Sequence, residues 1–505
     1  MKILSAAQTR AADAFTAEQE NIPSLALMER AASAFVGWFE NKFYTNRVQP
    51  ILIFCGPGNN GGDGLAIARL LYQHHYPVQV FILPAAHTYA PDFTANLQRL
   101  PDEIIKTYLH TKTDCPEISD KTIVVDALFG TGLNRPLTGF ITELITQINS
   151  SSATVVAVDM PSGLFTDAHN KLTDCIVQAD YTLSFELPKI AFLLPGNARY
   201  VGDWTIVPIG LNAEFISQIE SPYFFISSDI PATILKPRPK YSHKGTFGHA
   251  LLISGSYGKI GATVLSAKAC LRSGVGLLTV HCPAAGYTIL QTAVPEAMTL
   301  TDKEADFISE LPDLSIYNAI GIGPGLGKHP ATRQMVKHLL NTTQVPLVID
   351  ADALNIIAED ENLKNALPPN SILTPHPKEF ERLTGKAEND YHRLDLLKEF
   401  CQKHSCYVVL KGAHSCIGTP AGAYYFNGTG NPGMATGGTG DVLTGIITAL
   451  IAQQYSALDA CILGVYLHGS AGDIAKMEMG EQALLASDLI QNLGKAFLKC
   501  SYLTK

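Results

Sequence analysis

No apolar run in this 505-residue chain approaches the roughly 18 residues that span a bilayer, which excludes a helical membrane protein. Only 16% of the residues are charged, lysine and arginine form no run, and the formal net charge is −9. Nucleic acid and anionic membrane surfaces are therefore not expected as partners, so any phosphate must be held by backbone donors and local charges. The ten cysteines include no CxxC pair and no Cys/His cluster, so neither a zinc site nor a disulfide framework is indicated. The opening MKILSAAQTRAADAF has an apolar patch too short for a signal peptide and interrupted by Arg10 and Asp13. A reducing cytoplasm is the expected location.

What is present is a globular composition, 46% hydrophobic, in a chain too long for one ordinary core, so two or three domains are expected. Short β-branched runs alternate with helical patterns from end to end, which predicts an α/β class with parallel sheets covered by helices. In the first half the predicted strands are ILIF (51–54), VQVFI (78–82), TIVV (122–125), TVVAV (154–158) and YTLSF (181–185). In the second they include ALLIS (250–254), LLTV (277–280), AIGI (319–322), PLVI (346–349) and YVVL (407–410). Between them a stretch ending in PATILKPRPKYSHKG breaks the rhythm, and Pro231, Pro237 and Pro239 suit an extended linker. This places a boundary near 215–235 and divides the chain into domains 1–220 and 221–505. The halves share an architecture but no sequence repeat.

Ligands of open parallel sheets bind beyond the carboxyl ends of the strands. Three first-half strands run there into polar, glycine-rich loops: CGPGNNGGDG (55–64), DALFGTGLNRPLTG (126–139) and DMPSG (159–163). Gly56, Gly58 and Gly61 satisfy GxGxxG, yet the next strand ends in FILPAA without the acidic residue that grips a ribose, which argues against a redox NAD site. Oxygen-bearing side chains are the better signal. Asn59, Asn60, Asp63, Asp126, Asp159 and Ser162 offer the amide, carboxylate and hydroxyl oxygens that hard cations prefer, while the glycine N–H groups suit a phosphate. Turns also require Asn, Asp and Gly; three such loops at one sheet edge weigh toward a site.

In the second half, NPGMATGGTGDVLTG (431–445) places one carboxylate at the mouth of an anion-binding helix. Gly437, Gly438 and Gly440 leave backbone N–H groups unshielded, and the apolar run from Val442 to Leu450 predicts the helix they open onto. Asp441 stands where a general base can take a proton from a hydroxyl while those N–H groups hold the transferred group.

These motifs resemble a known family. CGPGNNGGDG, VVDALFGTGLNRPLTG and VDMPSGL are similar to the N-terminal domain of the NAD(P)H-hydrate epimerases, and NPGMATGGTGDVLTG to the NAD(P)H-hydrate dehydratases of the ribokinase-like superfamily. The resemblance to fused repair enzymes runs from about residue 5 to about residue 495. It implies a Rossmann-like three-layer α/β/α domain followed by a ribokinase-like one, acting on hydrated NAD(P)H in two epimers. The first domain interconverts the epimers; the second returns the S form to NAD(P)H at the expense of a nucleotide.

Carried onto this chain, the resemblance puts the hydrate against Asn59, Asn60, Gly61, Gly62 and Asp63, and against Gly130, Thr131, Gly132, Leu133, Asn134, Arg135 and Pro136. Asp159 contacts the reacting ring and is the candidate proton shuttle. Potassium falls on Asn60, Asp126 and Ser162. In the second domain Ala262, Gly325, His376 and Asp441 contact the hydrate. Lys411, Gly412, Ala413, His414, Ser415 and Gly440 contact the nucleotide, and Glu379 holds Mg²⁺ through water. Asp350, Asp352 and Asn355 of LVIDADALN read as scaffolding. Gly274, Val275, Gly276 and Leu277 depart from the family's GAGL by one side chain, which reads as packing. The fusion points to ADP as co-substrate and the family to a homo-oligomer. A vitamin-precursor kinase with an accessory domain fits the GTGD element alone, and a ligand-binding scaffold fits an epimerase-like half alone.

Overall fold

The structure is a computed structural model that describes residues 1–43 and 48–502. The chain forms two compact units: Lys2–Ser221, and Met1 together with the chain from Pro222 onward.

The first unit holds a seven-stranded parallel sheet. Its strands are β1 (Ile51–Cys55), β2 (Val78–Ile82), β3 (Ile105–Tyr108), β4 (Ile123–Ala127), β5 (Thr154–Val158), β6 (Tyr181–Phe185) and β7 (Asp203–Val207). They lie in the order β3-β2-β1-β4-β5-β6-β7, every pair parallel. Side chains alternate across the sheet. Ile51 and Ile53 enter a core with Phe35 and Phe39 of the helix Ser24–Lys42, whereas Leu52 and Phe54 enter another with Leu144 and Ile148 of the helix Phe140–Ser150. A strand covered on both faces must be apolar at every position, which is why ILIFC reads as a continuous run.

The second unit contains β8 (Tyr223–Ile226), β9 (His249–Ile253), β10 (Leu277–Cys282), β11 (Met298–Thr301), β12 (Ala319–Ile322), β13 (Leu347–Ile349), β14 (Ile372–Leu373), β15 (Tyr407–Leu410), β16 (Cys416–Gly418) and β17 (Tyr424–Asn427). Their order is β11-β10-β9-β12-β13-β14-β15-β16-β17-β8, with β16 antiparallel to both neighbours and the other pairs parallel. The helix Thr439–Ala452 is buried at every position from Val442 to Ala452, so it is a core element packed between sheet and helices. It starts three residues before the predicted Val442, which puts Asp441 inside its first turn.

The expected extended linker holds only for residues 235–239, which include Pro237 and Pro239 and form no helix or strand; the stretch before them is a correction. Residues 213–218 are helical, Tyr223–Ile226 pairs with β17 as a strand of the second sheet, and Asp229–Ile234 is a helix whose Pro231 is buried. Proline fits there because it occupies the first helical turn, where a missing N–H removes no bond. No helix among the described residues is long and apolar enough to cross a membrane.

Candidate functional sites

Strand order reverses direction in the first sheet between β1 and β4, and a cleft of about 990 Å³ opens beside their carboxyl ends. Its walls include Asn59, Asn60 and Asp63 at the start of the helix Asn59–Gln73, the whole loop from Gly130 to Pro136, and Asp159 after β5. Gly61 and Gly62 do not line it: they are buried in packing, Gly62 against Met28 and Phe93. Asp159 has φ +62°, a left-handed conformation that aspartate tolerates better than most residues. Its N–H donates to Leu183 O at 2.8 Å, and its Oδ1 accepts from Phe185 N at 3.1 Å and from Lys189 Nζ at 2.9 Å.

Lys189 is a site residue the sequence reading missed. Only 1% exposed, it spends its ammonium on Asp159, Ser184 Oγ, Phe185 O and Leu187 O. A buried charge survives only when paired and hydrogen-bonded. The available signal was a single lysine in the apolar stretch FELPKIAFLL.

The oxygen-rich set lies beside this cleft. Asp126 is fully buried; its Oδ2 accepts from Ser162 N at 2.8 Å, its Oδ1 from Leu128 N at 3.2 Å and from Ser162 Oγ at 2.5 Å. Burial lifts its carboxyl to about 6 against those three hydrogen bonds. Phe129 O stands 3.2 Å from Ser162 Oγ, and Asn60 faces Gly130 with an Nδ2 that has no hydrogen-bond partner among the described residues. An all-oxygen donor set with a carboxylate and a buried amide suits a hard, weakly charged cation.

In the second unit a cavity of about 390 Å³ is lined by Gly258, Gly261 and Ala262 after β9, Gly325 after β12, Asp352 and Asn355 after β13, and by Glu379 and Asp441. The helix carrying Asp441 begins at Gly438, whose φ of +94° is a left-handed entry that glycine makes without strain. Burial first, then the charge of Asp350, lift the Asp441 carboxyl to about 7, with Lys411 opposing and Asp352 adding.

Asp350, read as scaffolding, is the hub of this site. Its Oδ1 accepts from Lys411 Nζ at 2.9 Å and its Oδ2 from Thr444 Oγ1 at 2.8 Å. Lys411 is therefore a paired ammonium held at the helix mouth rather than a free point charge, with Glu379 3.9 Å away. A side chain on Gly440 would stand 3.3 Å from Lys411 Nζ. His468, unnoticed in the sequence, comes from the helix Ala457–Met479 and bonds Thr439 O at 2.9 Å; burial holds its imidazole down to about 4, so it donates as a neutral ring.

His376 does not line the cavity. It caps the helix Pro377–Thr384: Nδ1 accepts from Lys378 N at 3.1 Å and Glu379 N at 3.3 Å, while Glu379 Oε2 accepts from His376 N at 2.8 Å. Burial, with Lys411 and Arg382 adding, keeps its imidazole below the usual range. Glu379 is buried, its carboxyl raised by burial against the pull of Lys411. With Asp352 and Asp441 it lines the cavity, but among the described residues no three acidic or histidine side chains are grouped to hold a metal ion, so Mg²⁺ here would take its remaining ligands from water and phosphate. After Lys411, Gly412 and Ala413 are exposed, Ser415 Oγ contacts Gly412 O at 3.3 Å, and His414 Nδ1 contacts Asn427 O at 3.0 Å.

A family model described as NAD(P)H-hydrate dehydratase matches residues 250–495, and one described as YjeF-related protein N-terminus matches residues 24–191. A bifunctional NAD(P)H-hydrate repair enzyme from Moorella thermoacetica is 37% identical, over 98% of this chain and 96% of its own length. Among solved structures, a ribokinase-like superfamily protein from Enterococcus faecalis is 31% identical, with a TM-score of 0.50 over 56% of this chain and 98% of its own. An ADP/ATP-dependent NAD(P)H-hydrate dehydratase from Bacillus subtilis, crystallised with ATP and Mg²⁺, is 33% identical, with a TM-score of 0.49 over 55% of this chain and 98% of its own. The Moorella match runs through both halves, which sets aside the kinase with an accessory domain. The chain belongs to the family of bifunctional NAD(P)H-hydrate repair enzymes.

Proposed function

We propose that the first cleft epimerises NAD(P)H hydrate through Asp159 and that the second cavity dehydrates the S epimer with ADP, releasing AMP and phosphate. The observation that carries this reading is the Asp441 carboxyl, lifted to about 7 on the first turn of a helix whose mouth also holds the Lys411–Asp350 pair. A base on the cavity wall thereby sits at an anion-binding helix end, with a paired cation at the same helix mouth.

Hydroxide is a poor leaving group, so the ring hydroxyl must first become a phosphate ester. Asp441 takes the hydroxyl proton as that oxygen attacks the terminal phosphoryl of ADP, AMP leaves, and the first-turn amides after Gly438 together with Lys411 stabilise the phosphoryl charge. The ring nitrogen lone pair then expels phosphate, and loss of a ring proton restores the dihydropyridine. Glu379, through water, is the residue for Mg²⁺, which supplies charge neutralisation for the nucleotide phosphates. Lys411 to Ser415 and Gly440 form the nucleotide wall, and Ala262, Gly325 and His376 the hydrate side. In the first cleft Asn60, Asp126 and Ser162 are the potassium set, ordering the loops that hold the ring.

Dehydration of purified S hydrate with ADP, followed as returning NADH absorbance, tests the second site. Recovery without any nucleotide would overturn the phosphorylation step.

A further inference from the structure

The epimerase cleft holds more carboxyl groups than its cations can serve. Asp13 on the helix Ala6–Gln19, Asp63 on the helix Asn59–Gln73, Asp92 on the helix Pro91–Arg99 and Asp159 after β5 all line it. The facing cations are Lys189, Arg10 and Arg135. Lys189 is bonded to Asp159. No donor among the described residues reaches the carboxyl of Asp63 or of Asp13, and Asp63 feels all three other carboxyls. Like charges in a poorly solvated site cannot all ionise, so a carboxyl without a bonded cation is the one that keeps its proton. Burial, then Asp159, Asp13 and Asp92, hold Asp63 well above the usual carboxylate range, and Asp13 is lifted to about 6 by burial and Asp159. The neighbouring Cys55 thiol is likewise pushed up by burial and by Asp63.

Resting on the epimerase reading above, we propose that Asp63 is a second catalytic residue: its carboxyl gives a proton to the ring nitrogen of the hydrate while the Asp159 carboxylate takes the proton of the ring hydroxyl. The hydroxyl O–H pair becomes the C=O bond of an aldehyde, the C–N bond breaks, and its electron pair accepts the proton from Asp63. Rotation about the freed carbon and reclosure on the other face reverse each transfer, so both aspartates return to their starting states. No water or other reactant is consumed. Asp63 thus acts as acid and Asp159 as base, the division of labour that two differently surrounded carboxyls permit.

The test uses the full-length protein and purified R-NADH hydrate without nucleotide, with the two epimers separated by chromatography at successive pH values. Wild-type activity should fall at high pH as Asp63 ionises. Asp63→Asn should lower kcat by roughly 10² to 10⁴, the usual contribution of a positioned proton donor, with KM little changed and the high-pH fall abolished. Asp63→Glu should restore part of the rate and the high-pH fall. Asp13→Asn, which removes one neighbouring charge, should move that fall to lower pH. These last two variants carry the test if Asp63→Asn does not fold. Wild-type kcat in Asp63→Asn, or a high-pH fall that Asp13→Asn leaves unmoved, would overturn the assignment. Full activity in Asp159→Asn would instead bring down the reading of the cleft itself, and the proposal with it.

Discussion

Asp441→Asn separates chemistry from folding, because the amide keeps the side chain's size and its place in the first turn of Thr439–Ala452 while removing the base. With the carboxyl lifted to about 7, about half of it is ionised at pH 7 and about one-tenth at pH 6, so wild-type dehydration should rise roughly fivefold between those values. The substitution should lower the rate by roughly 10² to 10⁴ and leave no such rise. Stability should move the other way. The unfolded chain ionises near the usual 3.8, so the penalty of a buried, ionised Asp441 is absent below that pH and grows as pH rises toward about 7. At about 1.4 kcal/mol per pH unit the ceiling is about 4 kcal/mol, reduced by solvent reaching the carboxyl. The variant should therefore have a higher Tm at pH 8 and an unchanged one at pH 4. Absorbance recovery from the S hydrate, nucleotide calorimetry and thermal melts at both pH values form the assay. Near-wild-type recovery with intact nucleotide affinity would show that Asp441 only occupies the helix entry, and would refute the mechanism.

Other outcomes follow from the same geometry. Gly440→Ala adds a methyl 3.3 Å from Lys411 Nζ, so the nucleotide KM should rise while the melting temperature holds or increases slightly, since alanine favours helix by about 1 kcal/mol; an unchanged KM would remove Lys411 from the nucleotide wall. Asp126→Ala should abolish the potassium dependence of epimerisation and leave dehydration of the S epimer intact, and a variant still stimulated by potassium would contradict the assigned ligands. Fragments ending at Ser221 and beginning at Pro222 should each fold and keep their own activity, whereas one beginning at 225 cuts through Tyr223–Ile226 and should be less stable in urea; equal midpoints would refute a structural role for that strand.

These strands were legible because burial on both faces leaves mostly apolar, β-branched and aromatic residues: VQVFI, TVVAV, YTLSF, AIGI and YVVL coincide with β2, β5, β6, β12 and β15. The edges were not. β3, β7 and β11 carry exposed or half-exposed side chains along their length; the interior strand β14 was missed for another reason, since its two residues are too few for a pattern to register. The first part of the stretch read as a linker holds a strand and a short helix, and the strand was hidden because its partner, β17, lies about two hundred residues downstream, where no local pattern can announce it. The glycine loops stood out because the positions around them need backbone without side chains. Lys189 and the hub role of Asp350 did not, because each acquires meaning from a partner distant in sequence: Asp159 thirty residues away, Lys411 sixty-one and Thr444 ninety-four. The capping role of His376 was not legible either, because a histidine in a helix cap and one at a ligand share the same local sequence.

The most direct measurement gives an equal mixture of R- and S-NADH hydrate, with excess ADP, Mg²⁺ and K⁺, to the wild type, to Asp159→Asn and to Asp441→Asn, and follows absorbance to completion. The wild type should recover all of the NADH in one fast phase. Asp159→Asn should recover half at the wild-type rate and the rest only as fast as the epimers interconvert in buffer, and Asp441→Asn should recover almost none. Full fast recovery by Asp159→Asn, or by Asp441→Asn, would contradict the assignment of two separate sites to this one chain.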